Sequence, residues 1–258
     1  MTWSSPYQSE TLHQALSDEG LPSRILETPS GPLFANRFTG EWWVHELAEA
    51  PPGALPLPGT VFRGFAEYDA TRWSDGAYFT PVVTEWDTSL GDYSASTRRN
   101  IRRALERGCR VESATPSPDE WTSVGQGLER LFAPHANHLP LTADRMLRWV
   151  RRGVTAGCVT LFRTYLSSGK LIAAGIVLHS STVANLRFSA FDPDHGAERP
   201  VNLLFHAVIG HFLSGGRRCV DLSGVVGPRG DQALQGVDRF KLGYTRTIAR
   251  FDHVEADG

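Results

Sequence analysis

Cysteine is scarce in this chain. Cys109, Cys158 and Cys219 are odd in number and far apart, which excludes a disulfide framework and a paired-cysteine metal site and fits a reducing compartment. An excess of charge of either sign is also missing. Lys+Arg 26 against Asp+Glu 28 leaves a formal net charge of −2, so no global field draws the molecule to nucleic acid, and phosphate contacts must come from a local patch. No apolar run approaches ~18 residues. The opening MTWSSPYQSE has neither a basic nor an apolar targeting region. The expectation is a cytoplasmic protein without membrane insertion. His135 and His138 have a metal-like spacing, but no carboxylate or cysteine stands beside them, so no metal is expected. There is no Gly-x-Ser-x-Gly nucleophile motif, no repeat and no low-complexity tract.

Hydrophobic content is 41%, with seven tryptophans, enough for a substantial core. The 258 residues suit one large domain or two small ones. Residues 5–20 read as a helix capped by Ser9 or Thr11. Strand-like runs follow at Arg24–Thr28, Pro32–Phe38, Glu41–Leu47, Thr60–Tyr68 and Ala77–Trp86, interrupted by the proline-rich Ala50–Gly59. Further on, Ser117 starts a helix that runs to about Ala133, and Thr142–Gly153 is a second. Val159–Tyr165, Leu171–His179 and Val183–Phe191 form a three-stranded meander with polar turns. Asn202–Phe212 is an apolar helix ended by Gly215-Gly216.

Asp87–Arg110 holds a basic helix, 94–108, capped by Ser94 or Ser96 and ended by Gly108. Ile101, Ala104 and Leu105 make its apolar stripe. Arg99, Arg103 and Arg107 recur at i, i+4, i+8, with Arg98 and Arg102 as a neighbouring pair. Like charges at this spacing repel by a few tenths of a kcal/mol, ~0.2–0.5 per pair. Phosphate groups, or carboxylates elsewhere in the fold, would offset that repulsion, whereas a solvated face would leave it in place.

Near the C-terminus, Cys219–Leu222 reads as a short buried strand broken by Asp221. A carboxylate there needs a partner or a cleft. A loop follows with Gly224, Gly227, Pro228, Gly230 and Gly236, then Arg239-Phe240-Lys241-Leu242-Gly243-Tyr244 and a β-type run over Thr245–Phe251. A lysine between Phe and Leu suits stabilisation of developing negative charge. A lysine that merely reaches the surface is the plain alternative.

Strand, Asp, glycine loop and Phe-Lys-x-Gly-aromatic in this order resemble the Fem-type (FemAB/FemX) aminoacyl transferases, a branch of the GNAT-like acyltransferases. Ser96–Gly108 is similar to that family's basic helix. Gly169–Gly175, Phe188–Pro193 and Asn202–Leu204 match in the same order. The resemblance covers roughly residues 80–252. It implies an α/β (α+β) fold: a GNAT-like mixed sheet flanked by helices, in two GNAT-like subdomains with the first reduced. The expected divisions are 1–112, including the basic helix, 113–244, and 245–258 as a strand that crosses back to the first part.

The resemblance also implies aminoacyl-tRNA as donor and an amine acceptor. Asp192–Pro200 has one glycine, three carboxylates and two prolines, unlike a backbone cradle for the pyrophosphate of acyl-CoA, so no cofactor is expected. On the family pattern Lys241 stabilises the oxyanion. Asp192 and Asp221 are candidate bases, with the tRNA 2′-hydroxyl as another proton relay. Arg98, Arg99, Arg102, Arg103 and Arg107 would hold phosphates, and Arg187, Arg239 and Phe240 would line the same cleft. The expected acceptor is a small peptide or amino-acid-like amine in natural-product biosynthesis. A peptidoglycan-precursor acceptor and an ordinary acyl-CoA N-acyltransferase are the alternatives.

Overall fold

The computed structural model describes residues 3–20, 23–28, 31–36, 42–47, 57–69, 77–87, 89–134, 143–225 and 232–254. Thus His135, His138, Thr142, most of the proline-rich segment and loop residues 226–231 lie outside the described residues. The strands are β1 (Ser23–Thr28), β2 (Gly31–Asn36), β3 (Trp43–Leu47), β4 (Gly59–Glu67), β5 (Ala77–Val83), β6 (Arg110–Glu112), β7 (Val159–Tyr165), β8 (Leu171–His179), β9 (Val183–Phe191), β10 (Cys219–Asp221) and β11 (Thr247–Val254). The helices are α1 (Glu10–Asp18), α2 (Ala95–Glu106), α3 (Glu120–Phe132), α4 (Ala143–Thr155), α5 (Pro200–Ser214) and α6 (Gln232–Lys241). No helix among the described residues is long and apolar enough to cross a membrane.

One mixed sheet runs β1-β2-β3-β4-β11-β5-β10-β9-β8-β7-β6. Its centre is the antiparallel pair β11–β5. Reading outward from β11, the pairings are antiparallel to β4, parallel to β3, then antiparallel to β2 and β1. Outward from β5 they are antiparallel to β10, parallel to β9, then antiparallel to β8, β7 and β6. The two halves therefore share one pairing pattern, and each contains a single parallel pair. β11, late in the chain, completes the half built from β1–β4.

β8 is buried along nearly its whole length because helices cover both of its faces. On one face α1, α3 and α4 bring Leu12, Leu128, Trp149 and Val150 onto Leu161, Ala174 and Ile176. On the other, α2 and α5 bring Ile101, Ala104, Leu204 and Val208 onto Phe162, Ala173 and Val177. The small run Ala173-Ala174-Gly175 lets α5 approach; a methyl on Gly175 would meet Leu204 at 3.3 Å. Close packing of this kind makes core volume changes costly. α2 thus packs with β5, β8 and α5 in one core.

Local signals start and stop the elements as their chemistry dictates. Ser9 accepts the Leu12 N–H at the head of α1, and Ser94 accepts the Thr97 N–H at the head of α2. Gly108 closes α2 at φ 74°, a left-handed conformation open to glycine. α3 begins later than Ser117. The Glu120 carboxylate accepts the Ser117 N–H at 2.7 Å, and the helix proper starts at Glu120. The clearest departure is α6. Gly236, assigned from sequence to the glycine-rich loop, lies inside a helix that ends at Lys241.

Candidate active site

β9 and β10 are paired only through Cys219↔Val183, Val220↔Ala184 and Asp221↔Asn185. Beyond Asp221 the chain parts from β9 while still bonding to β5 through the Leu222 and Val225 N–H groups, and β9 continues to Phe191 against β8 alone. The two parallel strands thus open a wedge. A cavity of about 410 Å³ lies there, between the end of β9, the head of α5 and α6. Ala190, Phe191, Val201, Phe205, Val237 and Phe240 give it apolar walls, and Lys241 and Asn202 also line it. Phe240 is held edge-on by Phe205 at 4.9 Å and by Tyr244 at 5.5 Å.

Lys241 is fixed from behind. Its Nζ donates to the carbonyl oxygens of Ser223 at 3.1 Å and Gly224 at 2.8 Å. An ammonium has three N–H groups, so one remains uncommitted among the described residues. Burial pushes the Lys241 pKa down to about 8, against the pull of Asp221 and Asp238. Lys170 and Lys241 are the only lysines among 26 basic side chains. Lys170 is exposed and pairs with Asp192 at 3.1 Å. Retaining lysine at 241 in so arginine-rich a chain is informative, because an ammonium is a compact charge with a tunable pKa and a guanidinium is not.

Behind Lys241 lies a buried polar network that sequence reasoning missed except for Asp221 and Arg187. Asp221 is fully buried and accepts from Thr80 Oγ1, from Asn185 Nδ2 at 2.7 Å and from the Ser223 N–H at 2.7 Å. Burial raises its pKa despite those bonds. The Asp221 charge works against the burial that lowers the Lys241 pKa. Tyr7, on the 3₁₀ turn Pro6–Gln8, donates to Asn185 Oδ1 at 3.0 Å. The Arg187 guanidinium lies 5.8 Å from the Tyr7 ring centre.

From the other half of the sheet comes Glu46, 4% exposed. It sits where the β3–β4 register shifts, with φ 53°. A non-glycine residue held there stores backbone strain of about 1–3 kcal/mol. Its Oε2 has no hydrogen-bond partner among the described residues. Burial, then Asp221, raises its pKa well above the usual carboxylate range, with Arg187 opposing. No local motif marks Glu46, because its inward turn is set by the bulge.

The other predicted residues fall at the margins. Asp192 pairs with Lys170 and accepts the Asp194 N–H at 3.1 Å. Burial would raise its pKa, but these bonds outweigh that and lower it. It does not line the cavity. Arg239 is exposed. Arg98 is half-buried and donates to the carbonyls of Tyr93 and Gly91. Arg99, Arg102, Arg103 and Arg107 are exposed. The helix that carries them abuts the frame of the cavity at both ends. At its head the Ser94 N–H donates to the Gly243 carbonyl at 2.8 Å. Beyond its tail Cys109 Sγ approaches the Glu198 carbonyl at 4.0 Å.

Residues 92–242 match the family model described as Acetyltransferase (GNAT) domain, over more than half of the chain. The chain belongs to the GNAT acetyltransferase family. As a GNAT-type acyltransferase it also shares its overall fold with solved structures. The crystal structure of FemX superposes with a TM-score of 0.63 at 11% identity, covering 95% of this chain and 91% of FemX. The C-terminal domain of a putative lysylphosphatidylglycerol synthetase from Agrobacterium fabrum gives 0.60 at 13%, covering 97% and 89%. The L-PGS structure from Bacillus licheniformis gives 0.56 at 10%, covering 98% and 93%. The Fem-type GNAT-like fold expected from the sequence is thus the fold observed. No curated protein matches the chain by sequence.

Many GNAT proteins take acyl-CoA, whose pyrophosphate needs free backbone N–H groups at a helix head. Here Pro200 at the head of α5 has no N–H, and the Asn202 N–H donates to the Arg199 carbonyl at 3.1 Å. Asp192, Asp194 and Glu198 stand in the preceding segment, with Arg199 exposed at the cavity mouth. These residues do not fit a pyrophosphate cradle.

Proposed function

We propose that this GNAT-type enzyme moves an amino acid from aminoacyl-tRNA to the amine of a small peptide or amino-acid-like acceptor in natural-product biosynthesis. The observation that carries the reading is Lys241, anchored by two carbonyls with one N–H uncommitted at a cavity without a pyrophosphate cradle. An aminoacyl ester arrives activated. The acceptor amine attacks its carbonyl carbon, the C–N bond forms, and the carbonyl oxygen takes up negative charge. Lys241 stabilises that oxyanion with its remaining N–H. Collapse breaks the C–O bond to the ribose, and the proton lost by the amine ends on the ribose hydroxyl.

Asp221 accepts the Ser223 N–H and so steadies the loop whose carbonyls hold the ammonium, and its charge opposes loss of the ammonium proton. The tRNA 2′-hydroxyl relays the proton, because Asp221 has its oxygens occupied and Asp192 is tied to Lys170. The exposed arginines of α2 and Arg239 grip phosphates, and Arg187 orders the buried network. The cavity volume is within the range of small-molecule sites, which suits a compact substrate group. The chain spans 91% of FemX, so length does not separate this acceptor from a cell-wall precursor.

The test is incubation with a mixture of charged tRNAs and candidate acceptors, read by mass spectrometry for one added residue. Product that disappears on RNase treatment supports the donor. RNase-insensitive product formed with acyl-CoA contradicts it.

A further inference from the structure

Helix α6 carries a glycine that its own structure does not require. Gly236 lies in the helix interior, where glycine is weaker than alanine. A methyl group there would meet no atom within 4 Å, so crowding does not demand it. Its backbone faces the wedge cavity. Around the same opening Phe191 and Val237 remain 37% and 45% exposed. Large apolar groups left wet around a concave site mark a binding surface.

The distances along α6 give that surface an orientation. Val237 and Lys241 are four residues apart, on one helix face and about 6 Å apart along the axis. The apolar wall therefore begins one helical turn from the Lys241 backbone, and Lys241 lines the same cavity. An α-aminoacyl group has a similar reach from carbonyl oxygen to side chain. No carboxylate lines the cavity among the described residues, while Arg199 and Lys241 do. A cationic side chain would enter unpaired beside like charge. A side chain of one carbon or none would leave Phe191 and Val237 in water.

We infer that the wedge cavity is the subsite for the side chain of the transferred acyl group, and that this side chain is bulky and apolar, branched aliphatic or aromatic, packed on the bare backbone of Gly236. This rests on the reading of Lys241 as the partner of the acyl carbonyl. It goes further by excluding lysyl, glycyl and seryl donors as preferred substrates.

Two measurements test it. In the first, kcat/KM is compared for tRNAs charged with phenylalanine, leucine, glycine and lysine. Burying one large apolar side chain predicts a preference of roughly 10–100-fold for phenylalanine or leucine over the other two. Gly236→Leu, which fills the cavity and strengthens the helix, should cut the phenylalanine-to-glycine ratio at least ~10-fold. In the second, binding of L-phenylalanine and glycine methyl esters is measured by calorimetry without tRNA, in wild type and Gly236→Leu. The phenylalanine ester should bind more tightly, and the variant should lose that advantage.

Equal use of all four donors, or an equal effect of Gly236→Leu on each, overturns the inference. An effect that follows the acceptor's side chain assigns the cavity to the acceptor and also overturns it. If no charged tRNA is turned over, the donor reading fails. Ester binding then decides the subsite alone, supporting it if the phenylalanine preference is present and lost in the variant, and overturning it otherwise.

Discussion

The ammonium of Lys241 donates to the carbonyl oxygen of Gly224 at 2.8 Å, and this bond ties the last turn of α6 to the chain leaving β10. Gly224 itself is pressed against Tyr78. A Cβ on it would lie 2.5 Å from the Tyr78 ring. The loop that holds the lysine is therefore wedged between an aromatic ring from β5 and the helix that carries the cation.

Gly224→Ala should accordingly act as a positioning mutation. The added methyl must displace the loop or the whole ring, because a rigid aromatic edge cannot deform. We expect a stability loss of about 1–3 kcal/mol and a fall in turnover of at least ~10-fold. Urea titration and steady-state kinetics check both. Wild-type kinetics in a destabilised variant would show that the Gly224 carbonyl does not position Lys241.

The pH profile should report Lys241 directly. Its pKa is pushed down to about 8, so the ammonium predominates below that pH and is lost above it. Activity should rise at first as the acceptor amine deprotonates, then fall above about pH 8. Lys241→Arg, with a side chain that stays charged, should remove the alkaline limb from whatever activity survives. An alkaline limb that persists in that variant assigns the ionisation elsewhere.

Glu46 makes a separate prediction for stability. Its folded pKa lies above its unfolded value because burial and Asp221 disfavour the carboxylate. The stability it contributes is complete below about pH 4.5, the ordinary glutamate range. That contribution is lost as pH rises through the raised value. Glu46→Gln cannot ionise and should gain stability relative to wild type from pH 5 to pH 8, as measured by chemical denaturation at both pH values. A difference independent of pH would mean that Glu46 does not change its charge over this range.

The α2 arginines should separate by role. Arg99, Arg103 and Arg107 are exposed and have no ion pair among the described residues, so a triple alanine variant should lose tRNA affinity. The slope of log K against log salt should fall by about 2–3. Arg98 donates to two carbonyls of its own segment, and Arg98→Ala should cost about 1 kcal/mol of stability with a smaller change in salt slope. Anisotropy titrations over a range of KCl decide between them. An unchanged slope in the triple variant removes α2 from RNA binding.

The meander β7–β9 was legible because alternating and continuous apolar runs end at polar turns, and its observed bounds are those read from the sequence. The basic helix was legible through Ser94 and Gly108. α6 was not, because Gly236 and a flanking run of loop residues hide its period. Two of its apolar positions, Leu234 and Val237, are also exposed and give no core signal. Lys241 and Asp221 were visible as charges interrupting apolar surroundings. Glu46 and Tyr7 were not, since their burial depends on contacts between distant parts of the chain. The Tyr7–Asn185 bond spans 178 positions.

Single-turnover transfer from pre-bound aminoacyl-tRNA, compared between wild type and Lys241→Ala, tests the role of the ammonium most directly. The rate should fall roughly 10²–10³-fold while the dissociation constant for tRNA stays within about twofold, because on the proposed reading the α2 arginines and not Lys241 hold the phosphates. An unchanged chemical rate in Lys241→Ala would contradict the account.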